Sequence, residues 1–540
     1  MESFSNFDWF ILGLYFLVLI GIVFKVVRAD QTSVAGYFLA GRNLGWFVIG
    51  ASIFASNIGS EHVVGLAGTA ASSGMVMGHY ELHSWIILLL GWVFVPFYMK
   101  SNVFTMPEFL EKRYSSHSRW ILSIISLIGY ILTKVSATVY AGAVVFQTLM
   151  GVEFWSGALM IVLLTGAYTI IGGLRAVIYT DALQAIVLIL GSLTISVMGL
   201  IKIGGWNSLV ANVGSDHFNM FLPADHPHYP WVGMVFAPPI IGIWYWCTDQ
   251  YIVQRVLAAK DQTQALRGTI FGGYLKILPI FLFFIPGLIA YAMLNSGQLN
   301  YDSSDQAFPA LVKELLPSGM RGLVAGGLLA ALMSSLSSVF NSCSTLFTMD
   351  IYSKIRPGRS EKELINVGRI ATAVVVLSGI LWIPFMKIIS GELYTYLQSV
   401  QAYIAPPIAA VFLMGIFWQR INPQGALASL VCGFIIGMVR LILEINKSSL
   451  SGFWFSVADL NFLYFAIYLF LCCVALMVFV SLLTKAQDPK QIANLTFGTA
   501  SEVSNNEIGL KKNKKELLHS LVIISILVMI VVYFSPLGIG

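Results

Sequence analysis

The polar residues of one apolar stretch are the first that could do chemistry. The stretch FASNIGSEHVVGLAGTA, residues 54–70, carries Asn57, Glu61, His62 and three glycines where a membrane helix would carry leucine. Amide, carboxylate and imidazole groups exchange hydrogen bonds with hydroxyls, and carbonyls freed from a helix bind hard cations. The stretch therefore indicates a binding site for a polar solute, a cation or both.

Other ionisable residues also lie in apolar segments, namely Glu81, Lys134, Asp181, Asp249 and Lys276. A charge at the bilayer centre costs about 2.5–3.5 kcal/mol, so each should face a partner or water. For Asp249 the alternative is a structural ion pair with nearby Arg255. Together with His62 and Gln398, Glu81 and Lys276 supply donors and acceptors that suit a neutral polyhydroxylated solute.

Aromatic and hydroxyl side chains complete the set of candidates. Four aromatic residues could stack on a sugar face or occlude it: Tyr80, Tyr245, Trp246 and Tyr394. A serine row, Ser334, Ser335, Ser337 and Ser338, falls in one helical stretch. Small hydroxyl residues often serve close helix packing, but with carbonyls of a broken helix they also form an oxygen site for sodium. The residues alone leave both interpretations open.

Composition identifies the elements that must position these residues. The chain has 540 residues, of which 57% are hydrophobic and only 11% are charged. Such a composition predicts a polytopic membrane protein. Its five cysteines lie in apolar segments without metal-ligand spacing. No catalytic constellation, soluble catalytic domain or repeated pore-lining pattern is found, so an enzyme or a channel is not expected.

Hydropathy predicts an all-α protein with fourteen transmembrane helices. The only sizeable polar linker, 485–516, contains the basic run KKNKKE. The predicted spans are at about 9–27, 44–74, 77–99, 119–150, 155–175, 179–202, 230–258, 268–295, 318–352, 364–386, 392–418, 424–446, 459–484 and 517–538.

Lysine and arginine predict the orientation of these spans. If the N-terminus lies outside, alternate linkers become cytoplasmic and hold most of the basic residues. The outer side then keeps only Lys202, Lys313, Arg321, Lys387 and Lys447. This asymmetry follows the positive-inside rule, so both termini are expected to be extracytoplasmic.

Two predicted spans contain breaks in corresponding places. The second carries ASNIGSEH, and the seventh carries FAPPIIGIWYWCTDQ with Pro238 and Pro239. Matched interruptions in two halves are the sequence pattern of a transporter binding site. The predicted organisation is an extra helix and linker at 1–43, a five-helix repeat at 44–202, an outer loop at 203–229, a second five-helix repeat at 230–418, and three helices at 419–540 with the cytoplasmic linker 485–516.

Several motifs together resemble the sodium/glucose cotransporter family of solute:sodium symporters. They include YFLAGR, GWVFVPFYMKSNVFTMPEFLEKRY, WYWCTDQYIVQR, GLLAALMSSLSSVFNS and YIAPPIAAVFLMGIFW, in family order over 37–420. The resemblance implies a LeuT-like inverted repeat of five plus five helices, with a broken first helix in each half. It also implies sodium-driven import of a hexose or a cyclic polyol.

The resemblance assigns roles residue by residue. The solute site would consist of Asn57, His62, Glu81, Lys276 and Gln398. Tyr80 and Tyr394 would form the outer gate, with Tyr245 and Trp246 at the inner gate. The sodium site would use backbone oxygens of Ala55, Ile58 and Ala331 and the hydroxyls of Ser334 and Ser335. A second sodium site would use Asp181, Ser337 and Ser338, giving two sodium ions per sugar.

Departures from the family pattern bear on the solute and the source. The sequence SEH around His62 is most similar to inositol carriers, which keeps myo-inositol as an alternative to glucose or galactose. Gly242 stands where threonine or asparagine would contact the sugar, so one hydrogen bond is lost or passes to water. The loop at about 295–318 is short and has no cysteine, which favours a bacterial inner membrane.

The expected protein is therefore a sodium-coupled hexose importer of the cell membrane that works by alternating access. A sodium/myo-inositol symporter and a non-transporting membrane sugar sensor are the alternatives. The expected partners are a sugar or polyol, sodium and the lipid bilayer, with no nucleic acid and no cofactor besides the co-transported ion. We expect the monomer to be the functional unit.

Overall fold

The structure is a computed structural model that describes residues 4–27, 39–59, 61–386, 393–497, 499 and 514–540. Within these ranges all regular elements are helical, apart from an isolated bridge between Leu44 and Ala259. The α-helices are α1 (Asn6–Val27), α2 (Trp46–Asn57), α3 (Ala67–Ser73), α4 (Gly78–Glu81), α5 (Ser84–Leu89), α6 (Val95–Ser101), α7 (Met106–Arg113), α8 (Ser116–Gly129), α9 (Ser136–Met150), α10 (Phe154–Ile203), α11 (Trp206–Val213), α12 (Ser215–Phe218), α13 (Trp231–Gly242), α14 (Gln250–Leu257), α15 (Gln262–Leu275), α16 (Ile285–Asn295), α17 (Ala307–Leu315), α18 (Met320–Leu346), α19 (Ser353–Ile355), α20 (Glu361–Met386), α21 (Leu393–Phe417), α22 (Pro423–Ile445), α23 (Gly452–Asp459), α24 (Phe462–Leu483) and α25 (Lys514–Tyr533).

Ten helical stretches in the described part of the chain are long and apolar enough to cross a membrane. They are His62–Ser101, Ser116–Met150, Val177–Ile203, Trp231–Thr248, Gln262–Asn295, Met320–Ile355, Leu397–Phe417, Pro423–Ile445, Phe462–Leu483 and Lys514–Tyr533. Shorter apolar helices occupy Asn6–Ile22, Trp46–Asn57 and Phe154–Ala167. The predicted all-α polytopic architecture is confirmed, and the count of fourteen spans stays a prediction.

The break predicted in the second span is present. Helix α2 ends at Asn57, and Ile58 leaves the helical region with φ −79° and ψ 86°. The chain resumes as a π-helical turn over Glu61–Leu66 before α3. Helix ends leave carbonyl groups without intrahelical partners, so this break frees backbone oxygens inside the protein.

The break in the seventh span falls later than its prolines. Pro238 and Pro239 lie inside α13, and a π-helical turn over Ile243–Thr248 follows. The helix is interrupted at Asp249, which is extended with φ −79° and ψ 126° and caps α14 through its side chain. The interruption is therefore set by Asp249 as a helix cap rather than by the proline pair.

Two further interruptions were not predicted. Leu82 and His83 separate α4 from α5, with ψ 33° and 11°. Helix α15 ends at Leu275, and a turn at 276–278 precedes Pro279 and the π-helical turn Ile280–Phe284. Pro279 marks the second of these, because proline lacks the N–H of a continuing helix.

The predicted fifth and sixth spans, 155–175 and 179–202, differ from the structure at their junction. Residues 176–178 are helical and lie within the continuous helix α10. The sequence from 174 to 190 contains neither proline nor glycine, so nothing in it ends the helix. Helix α10 packs most extensively against α18, which carries the serine row.

Close helix contact fixes α2 beside α15. A Cβ on Gly50 would lie 2.7 Å from the carbonyl oxygen of Gly268, and one on Gly268 would lie 2.7 Å from Ile49 Cγ2. Small residues in membrane helices allow such backbone approach. The contact brings the broken end of α2 close to the end of α15.

Helix α1 is fastened to the start of α18. Asp8 Oδ1 accepts hydrogen bonds from the backbone N–H groups of Gly319 at 2.6 Å and Gly322 at 2.9 Å. These amides belong to the unsatisfied first turn of a helix, so Asp8 acts as a cap supplied from another element. The N-terminal helix thus holds the helix of the serine row.

Candidate functional site

Glu81 and Lys276 form a buried ion pair. Lys276 Nζ lies 2.6 Å from Glu81 Oε2 and donates a second hydrogen bond to Asn57 Oδ1 at 2.6 Å. His62 Nε2 lies 3.4 Å from Glu81 Oε1. Glu81 is 1% exposed and Lys276 is 2% exposed, so the pairing is what makes each charge tolerable there. Four of the five residues predicted to bind the solute are therefore in contact.

Helix ends position these side chains. Asn57 is the last residue of α2, Glu81 is the last residue of α4, and Lys276 directly follows α15. His62 lies in the π-helical turn after the break in α2. Three interrupted helices thus bring polar side chains to one point inside an apolar protein, as transporter sites require.

The ion pair lines a cavity that includes the remaining predicted residues of the solute site. Gln398 reaches it from α21, and Tyr80, Tyr245 and Trp246 form its aromatic walls. The side chain of Tyr394, the other predicted gate residue, lies outside the described residues. The cavity is lined by Asn57, His62, Tyr80, Glu81, His83, Lys134, Ile241, Gly242, Tyr245, Trp246, Lys276, Leu397, Gln398 and Gln401.

The aromatic walls are coupled to the polar centre. Tyr245 OH accepts a hydrogen bond from Asn57 Nδ2 at 3.3 Å, and its ring meets that of Trp246 edge to face at 5.0 Å. Lys276 Nζ lies 5.3 Å from the centre of the Trp246 ring. A displacement of Asn57 would therefore act directly on the ring predicted to form the inner gate.

Three buried polar atoms of the cavity lack a hydrogen-bond partner among the described residues. They are the Tyr80 hydroxyl, His83 Nε2 and Gln398 Oε1. Their residues are only 4%, 5% and 8% exposed, respectively. An unsatisfied buried polar group costs about 1–3 kcal/mol. A bound solute with several hydroxyls would supply the missing partners.

The predicted sodium site brings oxygens of two helices together. Ser334 Oγ on α18 lies 3.1 Å from the carbonyl oxygen of Ala55, and Ser335 Oγ lies 3.4 Å from that of Ser56. Both contacts are hydrogen bonds in this structure, and Ile58 and Ala331, the other predicted ligands, are also buried. The sodium assignment itself stays a prediction.

The backbone break connects this region to the solute cavity. The carbonyl oxygen of Ser56 accepts hydrogen bonds from Ser335 Oγ and from the hydroxyl of Tyr251. The next residue, Asn57, contacts Lys276 and Tyr245 in the cavity. One short segment at the end of α2 thus contacts residues of both predicted sites.

Asp181 lies in a hydroxyl cluster that also contains an arginine. Its carboxylate accepts hydrogen bonds from Ser52 at 2.8 Å, Ser56 at 3.0 Å and Ser334 at 2.6 Å. Arg255 Nη2 lies 3.6 Å from Asp181 Oδ2. In this arrangement the carboxylate predicted to bind a second sodium ion is neutralised by a side chain of the protein.

The two serines predicted for that second site are placed differently. Ser338 Oγ lies 3.1 Å from Ser56 Oγ and accepts a hydrogen bond from Arg255. Ser337 Oγ donates to the carbonyl oxygen of Ser334 at 2.9 Å, within its own helix. The structure therefore places Ser338 in the Asp181 cluster. The Ser337 hydroxyl makes its recorded hydrogen bond within its own helix, α18.

Asp249 pairs with Lys134 rather than with Arg255. Lys134 Nζ lies 2.6 Å from Asp249 Oδ2, and Tyr130 OH donates to the same carboxylate. Four rings surround the Lys134 ammonium, with the centre of Tyr251 at 3.9 Å and that of Tyr245 at 4.6 Å. Cation–π contact and ion pairing together stabilise this buried charge.

Sequence reasoning missed several residues of these sites. Lys134 was noted as an intramembrane charge, but only the structure places it in the cavity wall. Tyr251 lies in the motif WYWCTDQYIVQR, yet nothing in that motif indicates its hydrogen bond to Ser56. His83 and Gln401 carried no sequence signal at all, because neither follows a spacing or charge pattern.

The fold and the site define a class of protein. Helices interrupted around a buried, charge-compensated cavity are the architecture of a secondary transporter. The solved structure of a Na⁺-coupled sialic acid symporter, in its substrate-bound outward-open state, shares the fold with a TM-score of 0.77 at 22% identity, covering 90% of this chain and 100% of that one. A nucleobase-cation-symport-1 family transporter matches with a TM-score of 0.56 at 14% identity, over 86% of this chain and 98% of that one.

The chain belongs to the sodium:solute symporter family, whose model matches residues 37–433. It is 39% identical to sodium/glucose cotransporter 4 of Danio rerio, over 91% of this chain and 81% of that protein. It is 41% identical to sodium/glucose cotransporter 1 of Oryctolagus cuniculus, over 88% and 79%, and 39% identical to the human sodium/myo-inositol cotransporter, over 91% and 75%. The protein is a sodium-coupled solute symporter of a membrane and not an enzyme.

Proposed function

We propose that this symporter imports a hexose, glucose or galactose, by alternating access. The cavity carries the proposal: a compensated Glu81–Lys276 pair, Asn57 and His62 stand beside buried polar atoms that have no hydrogen-bond partner among the residues that the structure describes. Because Glu81 pairs with Lys276 and Asp249 pairs with Lys134, both lysines of the cavity wall have a counterion, and the cavity has no excess charge for an ionic solute. Several hydroxyls would be needed to satisfy its donors and acceptors.

Myo-inositol is the second candidate. It has the hydroxyl density that the cavity requires, and the SEH sequence around His62 is most similar to inositol carriers. Relatives of nearly equal identity include both sodium/glucose and sodium/myo-inositol cotransporters. Transport measurements therefore have to decide between a hexose and a cyclic polyol.

Sodium would bind where the broken end of α2 meets α18. Its ligands would be the backbone oxygens of Ala55, Ile58 and Ala331 and the hydroxyls of Ser334 and Ser335. The contact of Ser334 Oγ with the Ala55 carbonyl oxygen at 3.1 Å brings two of these oxygens together and supports this assignment. Sodium would hold α2 against α18 and thereby fix Asn57 for the solute, and its loss would release Asn57 and Tyr245.

A second sodium ion would bind at Asp181 with Ser337 and Ser338. The ion would have to replace Arg255, which now lies 3.6 Å from the Asp181 carboxylate. Each additional charge moving inward contributes about 2.3 kcal/mol per 100 mV, so a second ion would raise the accumulation limit steeply. A sodium-to-solute flux ratio of one would rule it out.

The membrane placement completes the proposal. The chain would act as a monomer in the cell membrane, with both termini on the extracytoplasmic side. The basic residues then lie mainly on the cytoplasmic side, as the positive-inside rule requires.

Uptake into proteoliposomes tests the function. Labelled glucose, galactose and myo-inositol would each be offered with an inward sodium gradient and with potassium in its place. Sodium-dependent accumulation of a hexose supports the proposal, and accumulation of myo-inositol alone replaces it with the second candidate. Sodium-dependent binding without accumulation would indicate a sensor instead.

A further inference from the structure

His83 lies at an interruption of the helix that carries Glu81. It falls between α4 and α5, is 5% exposed and lines the solute cavity. Its Nε2 atom is buried and has no hydrogen-bond partner in the part of the chain that the structure describes. A buried imidazole nitrogen without a partner is costly unless a ligand satisfies it.

Gly242 makes the room that this imidazole occupies. A Cβ atom at position 242 would lie 2.9 Å from Cε1 and 3.0 Å from Nδ1 of His83. It would also lie 2.5 Å from Cδ1 of Ile86, which is itself buried. The imidazole ring also neighbours the Tyr80 ring, with centroids 6.1 Å apart. Glycine at 242 and histidine at 83 therefore form a size-matched pair.

We infer that His83 is a specificity-determining residue that hydrogen-bonds one hydroxyl of the solute. The inference rests on the proposed function, since it names a further contact of the same cavity. A neutral imidazole has one donor and one acceptor nitrogen, and a hydroxyl can serve either. His83 Nε2 is thus the buried nitrogen of the cavity that a solute hydroxyl would satisfy.

The pair makes selectivity depend on one hydroxyl position. A site built to hydrogen-bond a hydroxyl rejects the analogue that lacks it, because the buried polar group is then left unpaired. The wild-type protein should therefore bind one monodeoxy analogue of its solute about 10- to 100-fold more weakly than the parent. The other hydroxyls of the solute are recognised by the remaining polar residues of the cavity.

The test is a monodeoxy series with the His83→Phe variant, which keeps a ring and removes the nitrogens. Sodium-dependent binding of glucose, galactose, myo-inositol and their monodeoxy analogues would be measured by tryptophan fluorescence of the full-length protein. The variant should bind the parent solute about 10- to 100-fold more weakly and lose discrimination at one hydroxyl only. His79→Phe is the matched control, because His79 Nε2 lies 3.0 Å from the Met220 carbonyl oxygen instead of lining the cavity.

A second variant keeps the inference testable if His83→Phe fails to fold. Gly242→Ala should displace the imidazole and weaken discrimination at the same hydroxyl, whereas Gly129→Ala, where the nearest atom to a new Cβ is 3.9 Å away, should not. Discrimination that survives in both His83→Phe and Gly242→Ala would overturn the role of His83 while leaving sodium-driven transport intact. Absence of sodium-dependent binding of every parent solute to the wild type would overturn the proposed function, and this inference with it.

Discussion

At the scale of single residues, the cavity depends on balanced charge. Glu81 and Lys276 each carry a charge that would be costly alone in a membrane protein, and each is compensated by the other at 2.6 Å. Asn57 and His62 add further polar contacts around the pair. The arrangement leaves donors and acceptors available without a net charge, which suits hydroxyl groups.

Removing one charge of this pair should weaken solute binding strongly. We expect Glu81→Gln to raise the half-saturating solute concentration by about 30-fold or more, because Lys276 loses its counterion and the solute loses an acceptor. The measurement is initial uptake at saturating sodium. Glu314→Gln is the control, since Glu314 pairs with Lys202 at 2.8 Å on the surface and should leave uptake unchanged. Unaltered uptake by Glu81→Gln would exclude this carboxylate from the site.

The serine hydroxyls should act on sodium rather than on the solute. We expect Ser335→Ala to raise the half-saturating sodium concentration by about 10-fold, because one oxygen of the cation site is lost. Ser344→Ala on the same helix is the control, since its hydroxyl donates to the carbonyl oxygen of Gly368. If Ser335→Ala and Ser344→Ala had the same half-saturating sodium concentration, the serine row would serve helix packing rather than sodium binding.

The sequence predicted the charged residues and the serine row better than single residues such as His83, which belong to no run or motif. Glu81 and Lys276 stand out because ionisable residues are rare in apolar segments, and the structure joins them. His83 does not stand out, since its position becomes informative only when Gly242 is seen against it. Pairings across the fold, such as Arg255 with Asp181, depend on helix packing that spacing along the chain does not encode.

At the scale of elements, interrupted helices do most of the positioning. The breaks after Asn57 and at Asp249 follow polar and capping residues that are visible in the sequence. The breaks at His83 and Lys276 lie in stretches whose hydropathy is that of an ordinary span. Hydropathy averages over about 20 residues, so it detects a membrane span but not a one-residue change in ψ.

Tyr251 should support the broken end of α2. Its hydroxyl donates to the carbonyl oxygen of Ser56 in the last turn of α2, where carbonyl oxygens lack intrahelical partners. We expect Tyr251→Phe to raise the half-saturating sodium concentration by about 5- to 10-fold while the solute affinity at saturating sodium stays nearly unchanged. Solute titrations at low and saturating sodium would measure this. Equal loss of solute affinity at both sodium concentrations would instead place Tyr251 in the solute site.

At the scale of the whole molecule, ion pairs near the ends of the spans join distant segments. Glu111 of α7 contacts Arg119 of α8 and lies 3.0 Å from Lys354 Nζ of α19. Partial burial by itself would raise the pKa of the Glu111 carboxyl, but hydrogen bonds and charges from Arg119 and Lys354 lower the pKa below its ordinary value. The ionised carboxylate therefore stabilises the folded protein.

The lowered pKa of Glu111 predicts how stability depends on pH. Its contribution is fully present above the ordinary carboxyl pKa and is lost as pH falls through the lower folded-state value. The melting temperature of the purified protein should therefore fall between about pH 5 and pH 3, and less so in Glu111→Gln. Glu314→Gln serves as the exposed control. Identical pH profiles of Glu111→Gln and the wild type would contradict the contribution of this carboxylate.

The account as a whole rests on the segment shared by the sodium and solute sites. Because Ala55 and Asn57 both lie in the last turn of α2, sodium bound at Ala55 should favour the arrangement of Asn57 that the solute needs. Coupling of this kind is reciprocal, so each ligand must change the affinity of the other by the same factor.

The most direct measurement is that reciprocity in the purified protein. Glucose, galactose and myo-inositol would be titrated at saturating sodium and in its absence, and sodium would be titrated with and without the solute that binds. The account predicts that sodium raises solute affinity by about 10-fold or more and that the solute raises sodium affinity by the same factor. A solute affinity that is the same with and without sodium would contradict it.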